Sequence, residues 1–193
     1  MMWSWAAQRV MDYAQTRNDV LDLNHSVICG HSRLGKTALL TAALDERFKF
    51  AYGNDAGCSG DALSRLMKDD DGNETVSYIT THFSHWFCEN YYKYANHEDD
   101  MPFDQHYLLA SIAPRYTLCG AASLDIWANP SSQQLSVLAA SYAFNVGLIG
   151  PDRFADDNEA FLNGDIAFHK RVGEHYFKLE DWQRLIEFIN LHY

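Results

Sequence analysis

The stretch Gly30-His31-Ser32-Arg33-Leu34-Gly35-Lys36-Thr37 constrains this chain more than any other. The apolar run Val27-Ile28-Cys29 precedes it, as a buried strand would. The run Thr37-Ala38-Leu39-Leu40-Thr41-Ala42-Ala43-Leu44 follows it and is rich in good helix formers. A glycine-bounded turn from strand into helix is therefore expected, and two active-site templates fit it. As G-x-x-x-x-G-K-[ST] it is a complete phosphate-cradling loop. Around Ser32 it is the nucleophile elbow of a serine hydrolase, one residue off the usual G-x-S-x-G spacing. A turn with no chemistry fits as well, so the rest of the chain has to decide.

The 193 residues are 47% hydrophobic, enough for one ordinary domain with its own core. A formal charge of −11, with Lys and Arg scattered, argues against a nucleic-acid partner. No apolar run approaches the ~18 residues of a membrane span. Cys29, Cys58, Cys88 and Cys119 are far apart, without a C-x-x-C pair, and read as small buried hydrophobes rather than a zinc site. Asp69-Asp70-Asp71-Gly72-Asn73 reads as a solvated acidic turn, because the later ligand positions of a calcium loop do not follow in register.

Along the chain the pattern predicts a helix over 3–16, a strand over 25–30, a helix over 35–44 and a strand over 48–53. A glycine-dense loop follows at Gly53-Asn54-Asp55-Ala56-Gly57-Cys58-Ser59-Gly60. Helices are expected over 85–94 and 102–113, a strand over 115–121 and a helix over 132–147. A last strand over 166–171 and a terminal helix over Leu179–Leu191 close the order. Strands alternating with helices imply a mainly parallel sheet with helices on both faces. Four strands are few for such a sheet. The expectation is that residues 1–193 form the C-terminal portion of a single domain whose N-terminal strands are missing.

A phosphate loop also needs an acidic residue ending a second apolar strand to help hold magnesium, and Phe48–Asp55 fits this poorly because of Lys49 and Asn54. A serine hydrolase of the α/β type needs Ser, then Asp or Glu, then His, each after a strand. Here Asp55 follows the strand after the elbow, Asp125 follows the next, and His175 follows the last. All three fall at carboxyl ends of parallel strands, where open α/β sheets build their sites. His106, the rival base, sits inside a helical pattern and reads as a buried, hydrogen-bonded histidine. His82 and His85 form too sparse a pair for a metal.

The chain resembles the bacterial branch of the glucuronoyl esterases, carbohydrate esterase family 15. The resemblance is carried by Gly30–Leu39, Asp45-Glu46-Arg47-Phe48, Asn54–Gly60 and His85-Trp86-Phe87-Cys88. It continues through Pro102-Phe103-Asp104-Gln105-His106, Ile112-Ala113-Pro114-Arg115, Asp125–Pro130 and Gly173-Glu174-His175, in the family's order. It implies an α/β-hydrolase fold and metal-free, cofactor-free hydrolysis of esters between 4-O-methyl-glucuronic acid of glucuronoxylan and lignin alcohols. It further implies Ser32 as nucleophile, His175 as base, Asp55 or Asp125 as the acid, and Arg33 in the oxyanion hole. Lys36, Glu74 and Trp127 match positions that hold the uronate. The resemblance also implies a secreted or periplasmic setting. A P-loop nucleotide-binding protein and a non-catalytic uronate-binding remnant are the rivals.

Overall fold

The computed structural model describes residues 2–193. The chain opens with helix α1 (Met2–Gln15) and enters strand β1 (Val27–His31), which turns directly into α2 (Arg33–Leu44). Strand β2 (Phe50–Asn54) leads into a long connection holding α3 (Val76–His82), α4 (Glu89–Tyr92) and α5 (Gln105–Ala110). Then come β3 (Tyr116–Ala122), α6 (Pro130–Ala140), β4 (Glu159–Phe161), β5 (Ile166–Arg171) and α7 (Leu179–Leu191). The strands form one sheet in the order β1-β2-β3-β5-β4. The first four in that order run parallel, and β4 pairs antiparallel with β5.

Side chains alternate across each strand, so the two faces bury different residues. On one face Phe50, Tyr52, Leu118 and Ala167 pack with Leu185 and Phe188 of α7. On the other, Ala51, Cys119, Ala121, Ile166 and Phe168 meet Leu39 and Ala42 of α2, Leu109 of α5 and Val137 of α6. A third cluster, Cys58, Ala62, Met67, Val76, Ile79 and Met101, gives the β2–β3 connection a core of its own. Because β1, β2, β3 and β5 are parallel and in register, their carboxyl ends (His31, Asn54, Ala122 and Arg171) come to one edge. This is the α/β-hydrolase arrangement, and it fixes where the site must be.

Several boundaries differ from the sequence expectation. The helix expected over 85–94 breaks into a 3₁₀ turn at Ser84–Trp86 and the short α4, because Phe87 and Cys88 are extended. The helix expected over 102–113 narrows to α5, where Asp104 caps the first turn by accepting from Gln105 N–H. The helix expected over 132–147 begins earlier, with Pro130 in its first turn and the Asn129 side chain accepting from Ser132 N–H. It ends earlier too: after a 3₁₀ turn at Ser141–Ala143, Phe144 is extended. Strand β4 adds a fifth strand to the four expected; three residues are too short to show a period. Cys88 is exposed rather than buried, and all four cysteines are free thiols. His106 is not hydrogen-bonded as expected; its Nδ1 is buried without a partner. No helix among the described residues is long and apolar enough to cross a membrane.

Candidate active site

The elbow is a steric construction. Ser32, between β1 and α2, has φ 57° and ψ −127°, a region that a residue with a side chain enters only when its surroundings force it. Its N–H donates to Asn54 O at 2.8 Å and its carbonyl accepts from Lys36 N–H at 3.1 Å, which lock the turn. Gly30 makes the sharp turn possible: a Cβ there would lie 2.2 Å from Leu34 O and 2.4 Å from Leu34 C. The serine side chain is thereby raised at the sheet edge, at the start of α2.

His175 Nε2 lies 2.8 Å from Ser32 Oγ, and His175 Nδ1 lies 2.6 Å from Asp125 Oδ2. A carboxylate only accepts, so the ring proton sits on Nδ1 and Nε2 is free to take the serine proton. Asp125 is buried and held at both oxygens: Oδ1 accepts from Ala128 N–H at 3.3 Å while Oδ2 faces the ring. It thus caps the 3₁₀ turn Ile126–Ala128 and orients the base with one side chain.

Asp55 stands apart from this relay. Its Oδ1 accepts from Ala122 N–H at 2.8 Å and its Oδ2 from Arg171 Nη2 at 3.3 Å. Among the described residues it makes no hydrogen bond to His175, although Asp55, Asp125 and His175 offer ligand atoms within 4.8 Å of one another. Burial first, then the Asp125 charge, pushes the Asp55 carboxyl up to about 8, against the pull of Arg171 and the Ala122 N–H. Asp55 therefore holds a proton near neutrality. His31, whose Nδ1 lies 2.8 Å from Asn54 Oδ1, packs its ring 4.5 Å from that of His175. Burial lowers its pKa and favours the neutral imidazole there.

A cleft of about 370 Å³ opens over Ser32 and His175, with Arg33, Lys36, Glu74, Tyr78, Trp86 and Trp127 on its walls. Lys36 Nζ donates to Ala56 O at 2.6 Å and to Glu74 Oε2 at 3.4 Å, so its ammonium is tied to the cleft wall. Glu74 N–H donates to Trp127 O at 2.9 Å, which fixes the tryptophan turn to the acidic wall. Trp127 meets Tyr78 edge-on at 4.6 Å and leaves 39% of its surface exposed. The Arg33 guanidinium lies 5.8 Å from the Trp86 ring centroid. The structure therefore brings Ser32, Arg33, Lys36, Asp55, Glu74, Trp127 and His175 to one cleft, with Asp125 directly behind it. Tyr78, Trp86, His31 and Arg171 were not singled out from sequence. His31 and Trp86 stand inside motifs that carry the resemblance but received no role there, and Tyr78 and Arg171 carried no local signal.

Known proteins resemble this chain in sequence and in fold. The family model described as "Glucuronyl esterase, fungi" matches residues 1–147. A carbohydrate esterase from an unknown prokaryotic organism is 37% identical over 98% of this chain and 43% of its own length. A 4-O-methyl-glucuronoyl methylesterase of Phanerochaete chrysosporium is 31% identical over 74% of this chain and 31% of its own length. Among solved structures, a glucuronoyl esterase from Solibacter usitatus superposes with a TM-score of 0.88 at 35% identity, over 99% of this chain and 48% of that one. The chain thus spans less than half the length of each of these relatives. By its motifs, its fold and its relatives, the chain belongs to the glucuronoyl esterase family.

Proposed function

We propose that this chain carries the site of a serine carboxylic-ester hydrolase acting on esters of 4-O-methyl-glucuronic acid. The observation that supports it most is the continuous relay from Ser32 through His175 to Asp125, at 2.8 and 2.6 Å, within a family whose curated relatives include 4-O-methyl-glucuronoyl methylesterases.

Ser32 attacks the ester carbonyl as its proton passes to His175 Nε2, and the Asp125 carboxylate steadies the imidazolium that forms. The oxygen of the tetrahedral intermediate receives first-turn N–H groups of α2, which have no partner inside the helix, together with the Arg33 guanidinium. Losing one such donor typically costs about 3 kcal/mol of barrier, roughly a hundredfold in rate. His175 then returns the proton to the leaving alcohol, and water repeats the sequence to release the uronic acid.

The uronate ring lies over the exposed face of Trp127, with its hydroxyls toward Lys36 and Glu74. An adjoining recess of about 480 Å³, lined by Trp86, Phe87, Tyr91 and Phe103 and sharing Arg33 with the cleft, suits an aromatic alcohol as leaving group. Such esters join glucuronoxylan to lignin outside cells, so the working place of the site is secreted or periplasmic. Residues 1–193 supply the elbow, acid, base and uronate wall of a single α/β-hydrolase domain. The test is hydrolysis of methyl 4-O-methyl-glucuronate by this chain and its Ser32→Ala variant. Turnover by the first and none by the second is expected; equal turnover contradicts the proposal.

A further inference from the structure

We infer that Arg171 is the positioning residue of the catalytic base, an inference that rests on the serine-esterase reading above: its guanidinium clamps the backbone on both sides of His175. Arg171 is the last residue of β5 and its side chain is 4% exposed. Its Nη2 donates to Glu174 O at 3.2 Å and also to Tyr176 O, the two carbonyls that flank the histidine. The same nitrogen reaches Asp55 Oδ2 at 3.3 Å. Its Nε donates to both oxygens of Asp181, at 3.0 and 2.9 Å. Asp181 is itself fixed, because its Oδ2 accepts from Lys178 N–H at 2.7 Å in the first turn of α7.

One guanidinium therefore ties three separate pieces of chain together: the end of β2, the loop after β5 and the start of α7. The loop needs such a tie. His175 has no regular structure around it, and its side chain is 40% exposed, so packing alone does not hold its ring. The loop is shaped to admit the clamp. Gly173 sits at φ 132°, and a Cβ there would lie 3.0 Å from Arg171 Nη1 and 2.9 Å from Lys178 Nζ. Two backbone bonds complete the arrangement: Ser123 N–H donates to Arg171 O and Leu124 N–H to Gly173 O, both at 2.9 Å. They join the loop of the base to the loop of Asp125 through the main chain, and the guanidinium adds its hold on the two carbonyls beside His175.

The guanidinium works through two separate nitrogens, Nε on the Asp181 carboxylate and Nη2 on the two carbonyls, while Nη1 makes no hydrogen bond among the described residues; a lysine ammonium gathers its donors on one atom and cannot span both. Arg171→Lys keeps the charge and most of the stem and gives up the fork. Displacing a catalytic group by about 1 Å costs about a hundredfold in rate. In Arg171→Lys, kcat for methyl 4-O-methyl-glucuronate should fall about a hundredfold with KM within about twofold, on that same displacement argument. The low-field proton resonance of His175 Nδ1–H should broaden or vanish while the thermal transition stays cooperative.

Wild-type kcat with an intact resonance in Arg171→Lys overturns the inference, as does a rise in KM alone. Asp181→Asn, which keeps the shape but releases the anchor of the guanidinium, decides the question if the lysine variant does not fold; it should show the same split between kcat and KM. His175→Ala is measured alongside. If that variant retains activity, the serine-esterase reading has failed; if it is inactive while Arg171→Lys is normal, only the role of Arg171 has.

Discussion

Replacing Asp125 by Asn, next to the same change at Asp55, separates the two candidate acids by magnitude. Asp125 Oδ2 lies 2.6 Å from His175 Nδ1 and is buried. Opposite charges about 4 Å apart attract by about 4 kcal/mol at an effective dielectric of about 20. That attraction acts on the imidazolium formed as Ser32 attacks, and about 1.4 kcal/mol is a tenfold change in rate. Its loss alone slows acylation by about 10³-fold. The amide also turns an N–H or a weaker acceptor toward Nδ1 and favours the wrong tautomer, which brings the expected loss to about 10⁴-fold. Asp55→Asn removes no hydrogen bond to the ring, so a reduction of less than about tenfold is expected. The assay is the rate of serine labelling by a fluorophosphonate, with ester turnover in parallel and circular dichroism to show that each variant is folded. A folded Asp125→Asn variant within tenfold of wild type, or an Asp55→Asn variant slowed as severely, refutes the assignment of Asp125.

Gly30→Ala sets a methyl group against the Leu34 carbonyl at 2.2 Å. Backbone overpacking of this kind costs about 3 kcal/mol, so the melting temperature should fall by roughly 6–12 °C, read by calorimetry. Asp55 also gives a pH signature. Its carboxyl is raised to about 8 in the folded chain from its ordinary value of 3.8, so the folded state holds the extra proton between those values. Stability therefore declines as pH rises from about 4 to 8, by as much as about 1.4 kcal/mol per unit from this group, and Asp55→Asn should flatten that slope in melts across the range. Trp127→Ala removes the exposed ring face beside Tyr78; KM should rise about fivefold with kcat within about twofold, matching a contact of about 1 kcal/mol.

The elbow was legible because glycine spacing, an apolar strand and a helix-forming run all occur within residues 27–44. The order Ser32, Asp55, Asp125, His175 was legible because parallel strands bring every carboxyl end to one edge, so place in sequence becomes place in space. Which aspartate faces His175 was not. That depends on the rotamer of Asp125, which is set by the Ala128 N–H that its other oxygen accepts. Helix ends at 84–94 and 130–147 escaped because extended residues at Phe87, Cys88 and Phe144 interrupt patterns that still look amphipathic. Strand β4 exists only through its pairing with β5. Arg171 was hidden for a different reason: its partners are two backbone carbonyls and two carboxylates, and carbonyls leave no mark on a sequence.

The phosphate-loop pattern is met by the same residues, and their geometry accounts for them otherwise. Lys36 turns its ammonium to Ala56 O and Glu74, and Ser32 points to a histidine. An octapeptide can satisfy two templates because both need a glycine-rich entry into a helix; the partners brought in from later strands distinguish them.

The most direct test of the account is the mass of the intact protein after treatment with a fluorophosphonate, for wild type, Ser32→Ala and His175→Ala. A single adduct is expected on wild type, none on Ser32→Ala and labelling at least about 10³-fold slower on His175→Ala, since Ser32 is a weak nucleophile without its base. A folded wild type that takes up no adduct, or an adduct that persists in Ser32→Ala, contradicts it.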